Sequence, residues 1–270
     1  MKSQCYSRAL VALIFILLFS SLFLSAIADG AGDDATNDRI ELTFSFGWAG
    51  YKLDDINERY VNGLAKPLGL LKDDIPNGLD YQIEMSYRLF KNYSFGIGYI
   101  LLTSDSKYKE AFDWAMTDAG GFDMYRDKIY FDRKARASMR GITFNARRYF
   151  DISFIHFAAT AGAAWLHGKT ELSSNVSIPD NPRTPENEGR VFDDKVSYTD
   201  NTPGYWSSLG MVLPLNSRLG LVFEGGYRQF KTGELKDSDG NVWTTNDGNP
   251  EGIRLDMSGA FFLSSVRISF

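Results

Sequence analysis

The feature that most limits how this chain can fold is a period-two alternation of apolar and polar side chains, in segments just long enough to cross a bilayer. Ile40, Leu42, Phe44, Phe46 and Trp48 fall on one face, with Glu41, Thr43, Ser45 and Gly47 on the other. Leu79, Tyr81, Ile83, Met85, Tyr87 and Leu89 repeat the pattern against Asp80, Gln82, Glu84, Ser86 and Arg88. Such alternation is strand geometry with different surroundings on the two faces. Each segment matches the ~9–11 residues of a tilted membrane strand. Past the N-terminal stretch no run reaches the ~18 apolar residues of a membrane helix, so a membrane-spanning fold here is built of strands.

Six further segments carry the pattern. A tight Lys91-Asn92 turn leads to a third strand, Tyr93 to Thr103, with Phe95, Ile97, Tyr99 and Leu101 on one face and Gly96 and Gly98 on the other. The fourth centres on Ile142, Phe144 and Ala146 and extends back toward Lys128. The fifth follows from Ile155 to Trp165, the sixth covers roughly Gly204 to Leu213, and the seventh runs from Leu219 to Arg228. The eighth begins near Ile253 and ends at Phe270. Its apolar residues occupy odd positions (Leu255, Met257, Phe261, Leu263) and then even ones (Val266, Ile268, Phe270). A β-bulge near Ser264-Ser265 would reconcile the two. Connections after strands two, four and six hold a few residues, whereas those after one, three, five and seven span roughly 25 to 40. Short turns on one side and long loops on the other mark an outer-membrane barrel with periplasmic turns.

The N-terminus reads as a secretory signal: Lys2 and Arg8, an apolar stretch from Ala9 to Leu24, and small residues Ala26 and Ala28 before Asp29. Cleavage after Ala28 would leave a disordered acidic lead-in over 29–38 and a barrel domain over 39–270. It would also remove the single cysteine, Cys5, and leave 27 basic against 34 acidic residues, with no electrostatic footprint for nucleic acid. The 14% aromatic content suits girdles at the lipid–water boundary. Trp48, Tyr81, Tyr99, Tyr149, Trp165, Tyr205 and Tyr227 are the girdle candidates. A soluble sandwich or lipocalin-like barrel would turn the apolar face inward. Against that, the opposite face carries Gly47, Gly96, Gly98, Ala158, Gly162, Gly210, Gly220 and Gly226, which suit a crowded lumen. The expected fold is all-β: a transmembrane antiparallel up-and-down β-barrel of eight strands with short periplasmic turns and long extracellular loops.

In strand count, loop asymmetry and the Phe-terminated last strand, with Val266, Ile268 and Phe270 on one face, the chain resembles the small eight-stranded outer-membrane barrels of Gram-negative bacteria, of the OmpA, OmpX and OmpW types. The resemblance implies an outer-membrane location and a final strand read by the outer-membrane assembly machinery. It selects no activity.

Candidate sites follow from which charges face inward. Glu41, Asp80, Glu84, Glu224 and Asp256 stand against Arg88, Arg147, Arg228, Arg254 and Arg267. An eight-stranded barrel is about wide enough for side chains to fill it. A charge-balanced set therefore predicts a plug of salt bridges rather than a selective pore, which would show one dominant sign. The competing reading is a narrow channel or an OmpW-like conduit for small or apolar solutes. Arg133, Lys134, Arg136 and Arg140 form a basic cluster on the extracellular side that suits the phosphates of lipopolysaccharide. Outer-membrane lipid is the other expected partner, and nothing names an extracellular ligand. His156 and His167 are the only histidines, and neither completes a catalytic constellation, so no enzyme activity, cofactor or metal is expected. Asp237-Ser238-Asp239-Gly240-Asn241 reads as a turn. The first loop, Asp54 to Leu71, is partly apolar; the reading favoured here is a surface loop packed on itself, the alternative being a lid over the barrel mouth.

Overall fold

The computed structural model describes residues 40–58, 75, 77–90, 92–117, 123–152, 155–177, 191–216, 218–244 and 251–270. The expected signal segment and acidic lead-in lie outside them. The described chain is ten strands: β1 (Ile40–Ala49), β2 (Gly78–Phe90), β3 (Tyr93–Thr117), β4 (Asp123–Ile152), β5 (Ile155–Ser177), β6 (Val191–Pro214), β7 (Leu219–Gln229), β8 (Lys231–Glu234), β9 (Arg254–Asp256) and β10 (Gly259–Ser269). Eight of them close into a ring in the order β1-β10-β7-β6-β5-β4-β3-β2, while β8 and β9 form a separate two-stranded sheet. Every ring neighbour pairs antiparallel, and β10 closes on β1 from Glu41–Ser269 to Ala49–Phe261. Closure leaves no edge along the ring, the condition for placing backbone amides in hydrocarbon.

The outer wall is apolar and exposed. Phe44, Phe46, Trp48, Ile83, Met85, Ile97, Ile142, Phe144, Leu209, Phe262 and Val266 all face outward with about half their surface open. A soluble protein does not leave a continuous band of this kind in water; in a bilayer it is the lipid face. No described helix is long and apolar enough to cross a membrane, and the crossing is made by strands. Trp48, Tyr81, Tyr99, Trp165 and Tyr227 are exposed on the outer wall. Tyr149 is not a girdle residue. It lies buried on the inner face of β4 and donates its hydroxyl to Glu41 Oε2 at 2.7 Å.

Three expectations change. First, β3, β4, β5 and β6 are 25, 30, 23 and 24 residues long. They carry paired sheet well past the apolar band, as the β3–β4 register out to Thr117–Asp123 shows. Most of what the sequence presents as the second and third long loops is therefore hairpin. Polar alternation without an apolar face is still strand when a neighbour supplies the ladder.

Second, β10 has no bulge: its register against β7 is unbroken from Gly259–Arg228 to Ile268–Leu219. Phe262, Val266 and Ile268 stay on the outer face, and Phe261 and Leu263 point into the lumen, 5% and 2% exposed. The apparent slip arises because both faces of β10 are apolar around Phe261 to Leu263; the backbone departs from the ordinary only at Gly259 (φ 155°), where the chain turns from the lumen into the wall. A Cβ there would stand 1.7 Å from the Gly50 carbonyl oxygen. Gly259→Ala is expected to abolish the compact, heat-shiftable band of the folded barrel on unboiled gels; an unchanged band would show that the crossing tolerates a side chain.

Third, residues 59–71 of the first loop lie outside the described residues, but its start is seated in the barrel mouth, with Ile56 buried and Asn57 exchanging hydrogen bonds with Ile75 at 3.1 and 2.9 Å. Gly50 N donates to Ala260 O at 2.9 Å, Lys52 N to Ser258 O at 3.2 Å and Leu53 N to Asp256 O at 2.9 Å, which draws Tyr51, Leu53 and Ile56 into the mouth. Leu53 holds a left-handed backbone (φ 43°). That strain is tolerated because its side chain is buried and its N–H is paired.

Candidate functional site

Among the described residues, buried polar and charged groups converge in the lumen, which has two storeys. In the lower, near the tight turns, β1 supplies Glu41, which is fully buried. It pairs with Arg88 of β2 and, at 3.7 Å, with Arg267 of β10, while Tyr149 reaches it across the lumen from β4. The guanidinium of Arg88 lies over the Tyr149 ring at 5.1 Å and that of Arg267 at 5.7 Å. Glu84 of β2 faces Arg147 of β4 at 3.1 Å and accepts from Asn145 Nδ2 at 2.7 Å. Arg147 Nε also donates to Thr160 at 3.2 Å. Glu224 accepts the Ser208 hydroxyl at 2.5 Å. Two of these links join strands that are not ring neighbours, Tyr149 of β4 to Glu41 of β1 and Arg147 with Asn145 of β4 to Glu84 of β2, and these are chords across the interior; the others bridge neighbouring strands.

Between the storeys, Asp80 of β2 and Arg228 of β7 form a pair at 2.5 Å, with side chains 0% and 1% exposed. Gln82 donates to Asp80 at 3.2 Å, and the Arg228 guanidinium sits 4.3 Å from the Phe261 ring centre and 5.7 Å from that of Phe230. Above this pair the lumen is apolar. Leu53 and Ile56 of the first loop, together with Phe230, Leu235, Ile253, Leu255 and Met257 from the segment between β7 and β10, pack against Ile100, Leu102, Met139, Leu166 and Leu263 of the inner wall. Trp206 turns inward onto Gly162, where a Cβ would meet its ring at 2.3 Å, and meets Phe230 edge-on at 6.3 Å.

Arg254 and Asp256, expected to face the lumen from the last wall strand, lie instead on β9, which pairs with β8 and is not part of the ring because the wall strand begins only at Gly259. Arg254 approaches Glu234 at 4.0 Å and Asp256 meets Lys231 at 3.3 Å, which clamps the small β8–β9 sheet over the mouth. On the outer face of β4, Lys134, Arg136 and Arg140 share a side, alternating with buried Ala135, Ala137 and Met139. Arg133 sits on the other side, bonded to Ser174 at 3.3 Å and stacked on Phe131 at 4.7 Å. Val266 and Phe270 face outward on the closing strand, and Phe270 N donates to Ile40 O at 2.8 Å. His156 meets Asp151 at 2.5 Å beside the β4–β5 turn, and His167 meets Asn201 at 2.9 Å on the outer face. Asp237 accepts from Asp239 N and Asn241 N, each at 2.9 Å. Hydrogen bonds from Asn241 hold its carboxyl below the usual carboxylate range, so this carboxylate is occupied by its own turn.

The closed ring, its lipid-facing exterior and its tight turns at one end set the architecture. It is that of the small eight-stranded outer-membrane barrels. Solved structures similar to this chain include neisserial surface protein A, at 12% identity and a TM-score of 0.36, covering 88% of this chain and 100% of that one. The Yersinia pestis attachment invasion locus protein Ail is similar at 11% identity and a TM-score of 0.35, covering 87% and 100%. The outer membrane protein AlkL is similar at 11% identity and a TM-score of 0.33, covering 88% and 94%. Likeness of this size carries no inference about activity, and the barrel stands on its own strand register. No protein-family model matches the chain, and no curated protein does.

The sequence missed the apolar upper storey. Ile100 and Leu102 alternate with outward Tyr99 and Leu101, and Phe261 and Leu263 with outward Phe262. Strand segments apolar on both faces, all toward the long-loop end, are the signal that locates it.

Proposed function

We propose that this chain is a non-enzymatic bacterial outer-membrane protein with a closed lumen, acting structurally and through the long strands it presents outside the cell. The orientation follows from the tight turns, which sit at the periplasmic end in such barrels. The observation that carries the reading is the double seal. Cross-lumen pairs from Glu41, Glu84 and Asp80 tie opposite walls together, and the apolar cluster around Leu53 and Met257 fills the mouth above them. Outer-membrane lipid surrounds the apolar wall, and the outward Val266, Ile268 and Phe270 are the residues offered to the assembly machinery.

The experiment is reconstitution in planar bilayers. The expected result is no stepwise conductance from wild-type protein, with steps emerging when Leu53, Ile56 and Met257 are replaced by serine. Wild-type steps of defined size would overturn the closed-lumen reading. A second reading, a conduit for small apolar solutes, is favoured by one observation: the inner wall of the upper storey is itself apolar. On that reading the wild-type barrel binds an apolar fluorophore saturably, and Leu102→Asp abolishes the binding.

A further inference from the structure

The lower storey holds more positive charge than its own hydrogen bonds use. At the turn end of the lumen two guanidiniums share one carboxylate: Arg88 Nη2 and Arg267 Nη1 both face Glu41 Oε1, the second at 3.7 Å. The other oxygen of Glu41 already accepts from Tyr149 at 2.7 Å and from Ser86 at 3.5 Å. Arg267 is left over. Among the described residues its side chain donates no hydrogen bond, and no other acid, the C-terminal carboxylate included, stands within ion-pair distance. Two further donors of the same cluster are unmet. The hydroxyl of Thr43, in register with Arg267 across the β1–β10 ladder, and Nε of Arg88 are both buried without a hydrogen-bond partner. Buried donors are ordinarily satisfied, by a ligand or water where the chain itself supplies nothing.

The space beside Arg267 has a definite place. Its partner in the β7–β10 register is Gly220. A Cβ on that glycine would stand 3.6 Å from Arg267 Nη2 and 3.7 Å from Nε, with the Leu213 carbonyl oxygen of the β6–β7 ladder at 3.5 Å. A side chain would therefore fit in ordinary contact, and the glycine leaves that volume open. It lies against the Nε–Nη2 edge, which can grip two oxygens at once, while Nη1 is turned to Glu41.

We propose that Arg267 and Arg88, with the hollow at Gly220, form a seat for a small oxyanion of the phosphate class, entered from the periplasmic end of the lumen. The placement rests on the orientation and closure argued above. Both side chains keep an opening at that end, with 22% of Arg88 and 14% of Arg267 exposed. Above them the Glu84–Arg147 and Asp80–Arg228 pairs shut the lumen, so the seat is a blind pocket and the anion binds without passing. Charge selects an anion. Two cations share Glu41, whereas Glu224, four residues farther along β7 from Gly220, is turned to Ser208. Geometry selects an oxyanion over a halide, because the free edge of Arg267 is a two-pronged donor. Size selects a single small group, since side chains fill most of an eight-stranded interior. The Tyr149 ring lies under both guanidiniums, at 5.1 and 5.7 Å, and steadies them.

The test uses the refolded full chain in phosphatidylcholine nanodiscs, which leave both ends of the barrel in water. Inorganic phosphate or chloride is titrated calorimetrically at constant ionic strength. The wild type is expected to bind phosphate saturably, one per barrel, and chloride at least about tenfold more weakly. Arg267→Lys keeps the charge and loses the fork; Gly220→Val keeps every charge and fills the hollow. Each is expected to lose roughly tenfold in phosphate affinity. Arg136→Ala, on the outer wall at the far end, serves as the unchanged control. No saturable phosphate binding, chloride binding equal to phosphate, or full affinity in either folded variant would overturn the seat. A free ion and a lipid headgroup offer the same oxygens, so discs doped with phosphatidylglycerol are compared. The same phosphate affinity is expected in them, and competition by that lipid would overturn the lumenal pocket. The comparison of ions on the wild type needs no variant and stands even if neither variant folds. Conductance steps from the wild type would instead overturn the closed lumen without altering the phosphate isotherm, which keeps the two failures apart.

Discussion

Asp80→Ala is expected to destabilise the barrel by about 3–5 kcal/mol, the range for removing one partner of a buried ion pair. The carboxylate it deletes is wholly buried, and so is the Arg228 guanidinium that it faces. After the change Arg228 keeps the faces of Phe261 and Phe230 but, among the described residues, no carboxylate that pairs with it. Its Nε is already without a hydrogen-bond partner. No solvent reaches the site to compensate, because the apolar cluster lies directly above. The measurement is urea unfolding in vesicles, followed by tryptophan fluorescence and gel shift.

The double variant Asp80→Ala/Arg228→Met separates a lost attraction from a stranded charge. Replacing a buried pair by apolar side chains of similar volume is often neutral or stabilising, and Met extends the packing of Phe261 and Leu263. Most of the lost stability is therefore expected to return. Equal stability of Asp80→Ala and wild type would show that water enters between the storeys, and the closed lumen would fall with it.

How legible the molecule is in its sequence depends on which solvent each face meets. The lipid face is legible throughout, because hydrocarbon admits no polar side chain cheaply: Phe44, Ile83, Ile97, Phe144 and Val266 all point out as their alternation predicts. The lower lumen is legible for the opposite reason, since Glu41, Glu84, Arg88 and Arg147 interrupt apolar neighbours at every second position. The upper storey hides. There the interior is lined by Leu102, Met139 and Leu263, so both faces of the wall are apolar and alternation carries no direction. This is why β10 reads as bulged when its backbone is regular. Loop residues Leu53 and Ile56 could not be placed from pattern, because what draws them inward is hydrogen bonding to Asp256 and Ser258, some 200 positions away in the chain. The outer-wall cations were visible as a cluster, but only the β4 register separates Arg133 from the other three.

Phe44→Arg is expected to cost about 2–4 kcal/mol in lipid, the penalty for a cation at the midplane of an outer-membrane barrel. Phe44 is the central outward residue of β1, with Ile40 and Leu42 on one side and Phe46 and Trp48 on the other. Its strand neighbours Ile83 and Val266 face lipid as well. An arginine there has no carboxylate within reach, and its backbone is locked on both sides by ladder hydrogen bonds. Relief comes only by reaching along the wall toward a headgroup layer, and Phe44 is as far from either as β1 allows. Depth makes the prediction specific. Trp48→Arg, at the girdle, is expected to lose no more than about 1 kcal/mol of charge penalty, since that penalty falls toward zero at the interface. Both variants are to be unfolded in the same vesicles, with Phe44→Ala and Trp48→Ala subtracting the lost ring. If the two arginine penalties came out equal, the apolar wall would not be graded by membrane depth, and its outward residues would have to be covered by something other than a bilayer.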